Sequence, residues 1–268
     1  MIRSVIGFSP PASLVAMLAF AIIAVSPATA DTIIDTSDQG SVTFAQYDQV
    51  NGATQQWAIS TSGGTTTITA SGSVEFSFSG AGLPFQGPEL AAFTLTASST
   101  QIGSCGASCG AGDSFDQFGY TGTFSFTDEG LDPGANLLSG TFEVTGSPST
   151  TGAQLNSNIG SSGGGFDASA TAGNLNQLVL TSTFLNFTNQ TEEDASFSLS
   201  SLNPVFGVGT VTAGQAYPLA GPFDASGAGT FASNPGPTEV TPEPSTSVLI
   251  GGGLLSLGLL RRRRLIRQ

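Results

Sequence analysis

Two cysteines and nineteen carboxylates are the side chains of this 268-residue chain best placed to do chemistry, and their surroundings are unusual. The basic residues are all arginines: Arg3 near the start, then Arg261, Arg262, Arg263, Arg264 and Arg267 at the end. Between Arg3 and Arg261 there is no Lys, Arg or His. A serine or cysteine nucleophile needs a base with a near-neutral pKa, Schiff-base chemistry needs an amine, and phosphoryl transfer needs a cationic clamp. None of these can be assembled from that stretch. Nucleic-acid binding is excluded on the same ground, since phosphates would go unneutralised. The enzyme chemistry that survives is two-carboxylate glycoside hydrolysis, which needs no base of another type. It is disfavoured, because Trp57 is the only tryptophan available to line a sugar site. No catalytic residue is expected, and the chain reads as a non-enzyme.

Cys105-Gly-Ala-Ser-Cys109 lies in a Gly-rich stretch of a chain that carries export signals, described below. A disulfide is the expected state. In the chain-entropy picture so short a loop gains only about 2 kcal/mol, so the bond would pin a loop rather than hold a domain. A zinc site would need two further N or S ligands, and no other Cys and no His exists. Redox catalysis is unfavoured too, because the spacing is C-x3-C and no helical pattern follows. The acids gather in three places: Asp31, Asp35 and Asp38; Asp113 and Asp116 with Asp128, Glu129 and Asp132; and Glu192, Glu193 and Asp194. Uncompensated carboxylates repel one another and gain from Ca²⁺, so a loop-borne Ca²⁺ site is the alternative to a solvated anionic surface, which is favoured. No segment fits an EF-hand loop, and no metal or other cofactor is expected.

The elements that must position these groups are strands. Val74-x-Phe76-x-Phe78, Phe93-x-Leu95, Phe124-x-Phe126, Phe142-x-Val144, Leu178-x-Leu180, Leu185-x-Phe187 and Phe197-x-Leu199 alternate apolar side chains with Ser, Thr or Gly. That period of two marks half-buried β-structure. Val42 to Tyr47, Trp57 to Ile59, Val208 to Thr212 and Thr230 to Ala232 add to the set, separated by Gly, Asn, Pro and Ser clusters. Ten to twelve antiparallel strands predict an all-β sandwich, jelly-roll-like, with phenylalanine as its main large core residue. Gln101 to Gly119 and Gly146 to Gly165 read as long loops. A lectin-like, glycan-binding use of such a domain would draw on those loops and on Tyr120, Tyr47 and Trp57 as stacking residues, although burial in the core is the commoner fate of such rings.

Threonine pairs invite a sharper reading. Thr67-x-Thr69, Thr94-x-Thr96 and Thr121-x-Thr123 recur every 27 residues, and a flat ladder of them would suit ice or a polysaccharide. Thr181-x-Thr183 and Thr210-x-Thr212 break the period, and the neighbouring residues do not repeat as a solenoid requires. Threonine is also simply a good strand former on a wet face, and that reading is preferred.

The two ends carry addresses. Arg3, the apolar run Leu14 to Val25 and the small-x-small site Ala28-Thr29-Ala30 form a secretory signal peptide over residues 1–30, cleaved after Ala30. At the other end Pro242-Glu243-Pro244 precedes an apolar stretch, 247–260, and then a basic terminus, 261–268. The apolar stretch is short for a bilayer, at roughly 21 Å as a helix against about 30 Å of hydrocarbon. The arginines would stay cytoplasmic.

This tripartite tail resembles the PEP-CTERM sorting signal of Gram-negative bacteria, also called the ice-binding protein C-terminal domain. Pro242, Glu243 and Pro244 match its signature, Gly251 to Leu260 its Gly/Leu-rich span and Arg261, Arg262, Arg263 and Arg264 its basic stop. Thr241 stands where the family often has Val. The resemblance covers only the tail. It implies export through the Sec translocon, cutting by signal peptidase, transient anchoring in the inner membrane, cleavage near Pro-Glu-Pro by an exosortase-like enzyme and delivery to the cell surface or the exopolysaccharide matrix. The expected layout is signal peptide 1–30, β-sandwich ectodomain 31–233, Pro-rich stalk 234–246, transmembrane anchor 247–260 and cytoplasmic tail 261–268.

Overall fold

Alternation of apolar and hydroxyl-bearing residues does produce strands, and almost nothing else. The computed structural model describes residues 41–50, 53–80, 87–106, 108–144, 152–170 and 177–240. The signal peptide with Ala28 and Ala30, the Pro242-Glu243-Pro244 motif, the anchor and Arg261 to Arg264 lie outside the described residues. Among the described residues sixteen strands run in chain order: β1 (Val42–Gln49), β2 (Gln55–Ser62), β3 (Thr65–Phe78), β4 (Glu89–Ser99), β5 (Gly103–Cys105), β6 (Ser114–Asp128), β7 (Asn136–Phe142) and β8 (Ala153–Asn158) come first. They are followed by β9 (Gly164–Ala170), β10 (Leu178–Thr181), β11 (Leu185–Asn186), β12 (Glu192–Asn203), β13 (Val208–Thr212), β14 (Gln215–Pro218), β15 (Gly221–Asn234) and β16 (Thr238–Glu239).

Several strands are pieces of one longer column. β1 and β2 lie end to end between β3 and β15, and both run antiparallel to each of these neighbours. In the same way β4 and β5 share one side of β6, while β7 and β8 share the other. The bonding then passes from β8 to β9, β9 to β12, β12 to β15 and back through β1 and β2 to β3, which pairs with β4. The backbone ladder therefore closes on itself, and the sandwich has no free long edge along this circuit, which protects it from edge-to-edge pairing. The antiparallel all-β sandwich expected from the alternation is what forms. Its connections are mostly a meander, each column following its neighbour in sequence, where a jelly roll would cross between layers. The β13–β14 hairpin extends from β5, and β11 pairs with β16.

Inward-facing positions of opposite columns meet in an aromatic core. Phe126 of β6 lies 5.4 Å from Phe231 of β15 and 5.0 Å from Tyr47 of β1, measured between ring centroids, and Phe93 stacks on Phe126 at 5.1 Å. Such separations suit edge-to-face and offset contacts. Burying each ring contributes about 1.5–3 kcal/mol. Glycine makes the room. Gly140 sits opposite Phe124 across the β6–β7 ladder, and a Cβ there would lie 2.3 Å from the Phe124 ring. Gly229, opposite Tyr47, would bring a Cβ within 2.3 Å of that ring. The core thus consists of large rings lying over bare backbone.

Both stretches read as loops contain strands. β5 and the start of β6 fall within Gln101–Gly119, and β8 and the first residues of β9 fall in or at the edge of Gly146–Gly165. Apart from Phe115 and Leu155 their inward residues are small or polar, so the period is muted. Gln117 occupies a fully buried position beyond Phe115, and β8 offers only Ala153 and Leu155. Residues 234–240, read as stalk, continue along the body: Thr238 pairs with Asn186, and the Val240 N–H donates to Phe184 O at 2.8 Å.

Gly140→Ala should destabilise the chain by about 1–3 kcal/mol through overpacking against Phe124. Gly87→Ala, where an added Cβ meets nothing within 4 Å, should be close to neutral. Urea unfolding of the two variants beside the parent chain checks the contrast.

Candidate functional site

The rings expected to stack on sugars are core residues. Tyr120 is fully buried, and Tyr47 and Trp57 are each 2% exposed. Trp57 Nε1 donates to Gln55 Oε1 at 3.2 Å, and the Tyr120 hydroxyl donates to Gln117 Oε1 at 2.6 Å. The two glutamines are themselves buried and complete their bonding inward, Gln55 to Gly227 O and Gln117 to Thr66 Oγ1 and Gln101 O. Tyr47 Oη is the only buried side-chain polar atom without a partner among the described residues. Burial pushes its phenol far above the ordinary range; the Gln55 side chain nearby eases this from outside hydrogen-bond geometry. None of these rings is available to a ligand.

The acids are mostly occupied by neutral donors. Cys105 and Cys109 are joined by a disulfide with Cα atoms 5.2 Å apart, and Asp113 braces that loop by accepting from Gly110 N at 2.9 Å and Ser108 Oγ at 3.1 Å. Asp128, 2% exposed, accepts from the N–H groups of Gly130 at 2.6 Å and Asp132 at 2.7 Å, so it closes its own turn. Asp116 takes Gln154, and Asp167 takes Asn156 and Ser196. Among the described residues no group of three or more Asp, Glu or Cys side chains converges as a metal site would require. Asp48 and Glu75 stand directly opposite across β1 and β3, and both border an open groove of about 500 Å³ with Gln46, Ser77 and Thr230.

Glu193 stands apart. It continues the inward parity of Phe197 and Ala195 on β12, which puts a carboxylate at an interior position, 6% exposed. There it accepts the Leu180 N–H of β10 at 3.2 Å. Burial pushes its pKa up to about 7, against a smaller lowering by that N–H. Asp194, on the outward side, is raised as well, by burial first. The run Glu192-Glu193-Asp194 conceals this difference when read as a cluster; extending the Phe197-x-Leu199 alternation back to residue 193 would have found it.

Register also decides the threonine pairs. Thr69 lies opposite Thr96, Thr96 opposite Thr123 and Thr123 opposite Thr141, so the residues 27 apart do stand on adjacent columns and face outward together. The spacing is that of one strand plus its turn in a meander.

Because the folded chain binds the Glu193 proton more tightly than an unfolded one, this carboxylate's contribution to stability is complete below pH 4.5 and is lost as pH rises through about 7. Glu193→Gln, which keeps the acceptor for Leu180 N–H, should flatten that part of the stability profile and stabilise the chain at pH 8 by about 1–2 kcal/mol. Denaturant titrations across this pH interval measure both effects.

No protein-family model matches the chain, and neither characterised proteins nor solved structures provide a match.

Proposed function

We propose that this is a non-catalytic, exported surface or matrix protein, whose anionic β body is delivered by its two terminal signals. The observation that supports the reading is where the described strands stand relative to the two signals in the sequence. Among the described residues every strand lies between Val42 and Glu239, and the last backbone pairing closes at Val240, two residues ahead of Pro242. Cleavage near Pro242-Glu243-Pro244 would therefore remove none of these strands, and cleavage after Ala30 likewise precedes them all. Once both ends are removed, the body keeps at least 18 of the 19 acids, Glu243 being the one at the cut, and no base. Such a charge keeps it soluble and apart from other anionic polymers. The partners this reading calls for are the Sec translocon, signal peptidase, an exosortase-like protease and, before processing, the inner membrane.

Intact-mass measurement of the chain recovered from the cell surface should find Asp31 at its start and an end close to Pro244. Replacing Pro242, Glu243 and Pro244 together with alanine should leave the chain longer and in the membrane fraction. Recovery of the unprocessed chain from the cytoplasm alone would refute the proposal.

A further inference from the structure

The outward surface divides into two unlike halves. The columns β1, β9, β12 and β15 carry Asp48, Asp167, Glu192, Asp194 and Asp224 on their outer side. The wall made by β2, β3, β4, β6, β7 and β10 carries three consecutive rows of outward residues without a single charge. The middle row is Ala58, Thr69, Thr96, Thr123, Thr141 and Val179, each directly opposite the next. The row beside it is Gln56, Ser71, Thr94, Ser125, Ser139 and Thr181, paired in the same way. On the far side of the middle row, Ser60, Thr67, Ser98 and Thr121 form a shorter third one. Along the columns charge resumes beyond these rows at Glu75 on one side and Asp116 on the other, and at the β2 end Asp224 of β15 stands opposite Gln56. About a quarter of an ordinary soluble surface is charged, and in this chain, of which 9% is charged, the acids on the outer side gather on the other half and leave these three rows bare.

We infer that this wall is a docking face for a neutral polysaccharide, with the middle row as its track. Three features specify the partner. Electrically, the tract is the part of the outer wall that does not repel, and it offers nothing to attract ions, so it suits a polymer with no charge of its own. Chemically, threonine presents a hydroxyl beside a methyl, matching a sugar that presents hydroxyls beside C–H faces. In bonding, the flanking row is fixed laterally, with Thr94 Oγ1 and Ser125 Oγ 2.8 Å apart and Ser139 Oγ and Thr181 Oγ1 also 2.8 Å apart. The hydroxyls of Thr69, Thr96, Thr123 and Thr141, by contrast, have no protein partner among the described residues. Rungs about 4.8 Å apart make a track of roughly 24 Å. A crystalline surface such as ice fits less well. The twist of the sheet rotates each column by some 20° from the last and turns successive rungs out of any plane, whereas a flexible chain can follow the curve. Each contact is worth only about 0.5–1.5 kcal/mol net, so affinity comes from repetition along the track. This inference concerns the outer wall and is independent of how the chain is sorted.

The test uses the full chain purified in mild detergent and passed over dextran, cellulose and agarose beads, with polygalacturonate beads as the anionic comparison. Retention on at least one neutral matrix, unchanged by chelator and absent on polygalacturonate, is expected. The double variant Thr96→Val with Thr123→Val keeps side-chain shape and strand propensity but removes two hydroxyls, and should weaken retention about tenfold. Thr230→Val on β15 should leave it unchanged. Should the double variant fail to fold by circular dichroism, hydroxyl-radical footprinting of the parent chain on the beads decides: β4 and β6 peptides should be protected while β12 and β15 peptides are not. No retention on any neutral matrix, equal retention of the folded double variant, protection confined to β12 and β15, or adsorption to ice crystals alone would each overturn the proposal.

Discussion

A carboxylate in this body has no cation to turn to, and that constraint orders the rest of the structure. No Lys, Arg or His lies between Arg3 and Arg261, so the acids of the described residues have no cationic side chain among those residues to pair with. The acids must either stay in water or find uncharged donors. Asp128 finds two backbone N–H groups in its own turn, Asp167 an asparagine amide and a serine hydroxyl, and Asp113 a glycine N–H and a serine hydroxyl. Bonds from N–H or O–H donors to a carboxylate are among the stronger hydrogen bonds a protein makes. Each of these acids therefore fixes a turn or bridges two strands, and the serines and asparagines around them are there to donate as well as to be soluble. Glu193 has only one such donor and is buried, and its proton affinity rises accordingly.

The interior follows from the same scarcity of strong interactions. With no ion pairs among the described residues and an S–S bridge between cysteines only four positions apart, cohesion rests on ring burial and on the backbone ladder. The ladder closes into a circuit, which satisfies N–H and C=O groups on both sides of the columns and leaves few orphaned donors. The rings interlock from opposite columns because glycines such as Gly140 and Gly229 let them lie directly on the facing backbone. A glycine in a strand normally weakens it, through lost packing and added entropy in the unfolded chain. Here the ring opposite covers the exposed backbone and offsets that cost. A body rich in both Gly and Phe is coherent on these terms.

Strand phase was legible in the sequence wherever large apolar residues alternated with hydroxyls. Val74, Phe76 and Phe78 point inward as their spacing requires, and so do Phe93 with Leu95 and Phe124 with Phe126. The reading lapsed where inward positions held small or amide side chains. Gln117 and Gln55 look like solvent-facing residues on composition, yet each is enclosed and serves as hydrogen-bond partner for a buried aromatic, Tyr120 and Trp57. Local pattern cannot reveal this, because the partners that make a buried amide tolerable come from β3 and β15, far along the chain. Pairing order was equally hidden: β15 reaches back to β1 and β2 to complete the circuit, and no feature of residues 221–234 names those partners. The fate of Tyr47, Tyr120 and Trp57 follows from that closure, since a closed circuit has an inside where an open sheet would have had a second face.

The threonines show how register turns an ambiguous pattern into a surface. A 27-residue spacing that fails as a solenoid repeat can arise in a meander, where the antiparallel reversal brings one residue of each column to the same height, while of Thr67, Thr94 and Thr121, also 27 apart, Thr94 falls on a different row from the other two. Thr69, Thr96 and Thr123 share a row for that reason. Had a column slipped by one residue, its threonines would have turned inward and its phenylalanines outward, at the expense of the core. The aromatic positions therefore hold the hydroxyl rows in place: Phe93 opposite Phe126 and Leu95 opposite Phe124 on the inside set Thr94 opposite Ser125 and Thr96 opposite Thr123 on the outside. The regularity of the outer wall is thus a consequence of packing within, and it persists on β7, where Gly140 beneath Phe124 places Thr141 beside Thr123. What packing does not dictate is the identity of the outward residues. An outward site on these columns could hold aspartate or glutamate without disturbing a single core contact, as Asp48 and Glu75 show just beyond the rows. Keeping acids off three adjacent rows of an otherwise anionic body is a property of the sequence that folding alone does not require.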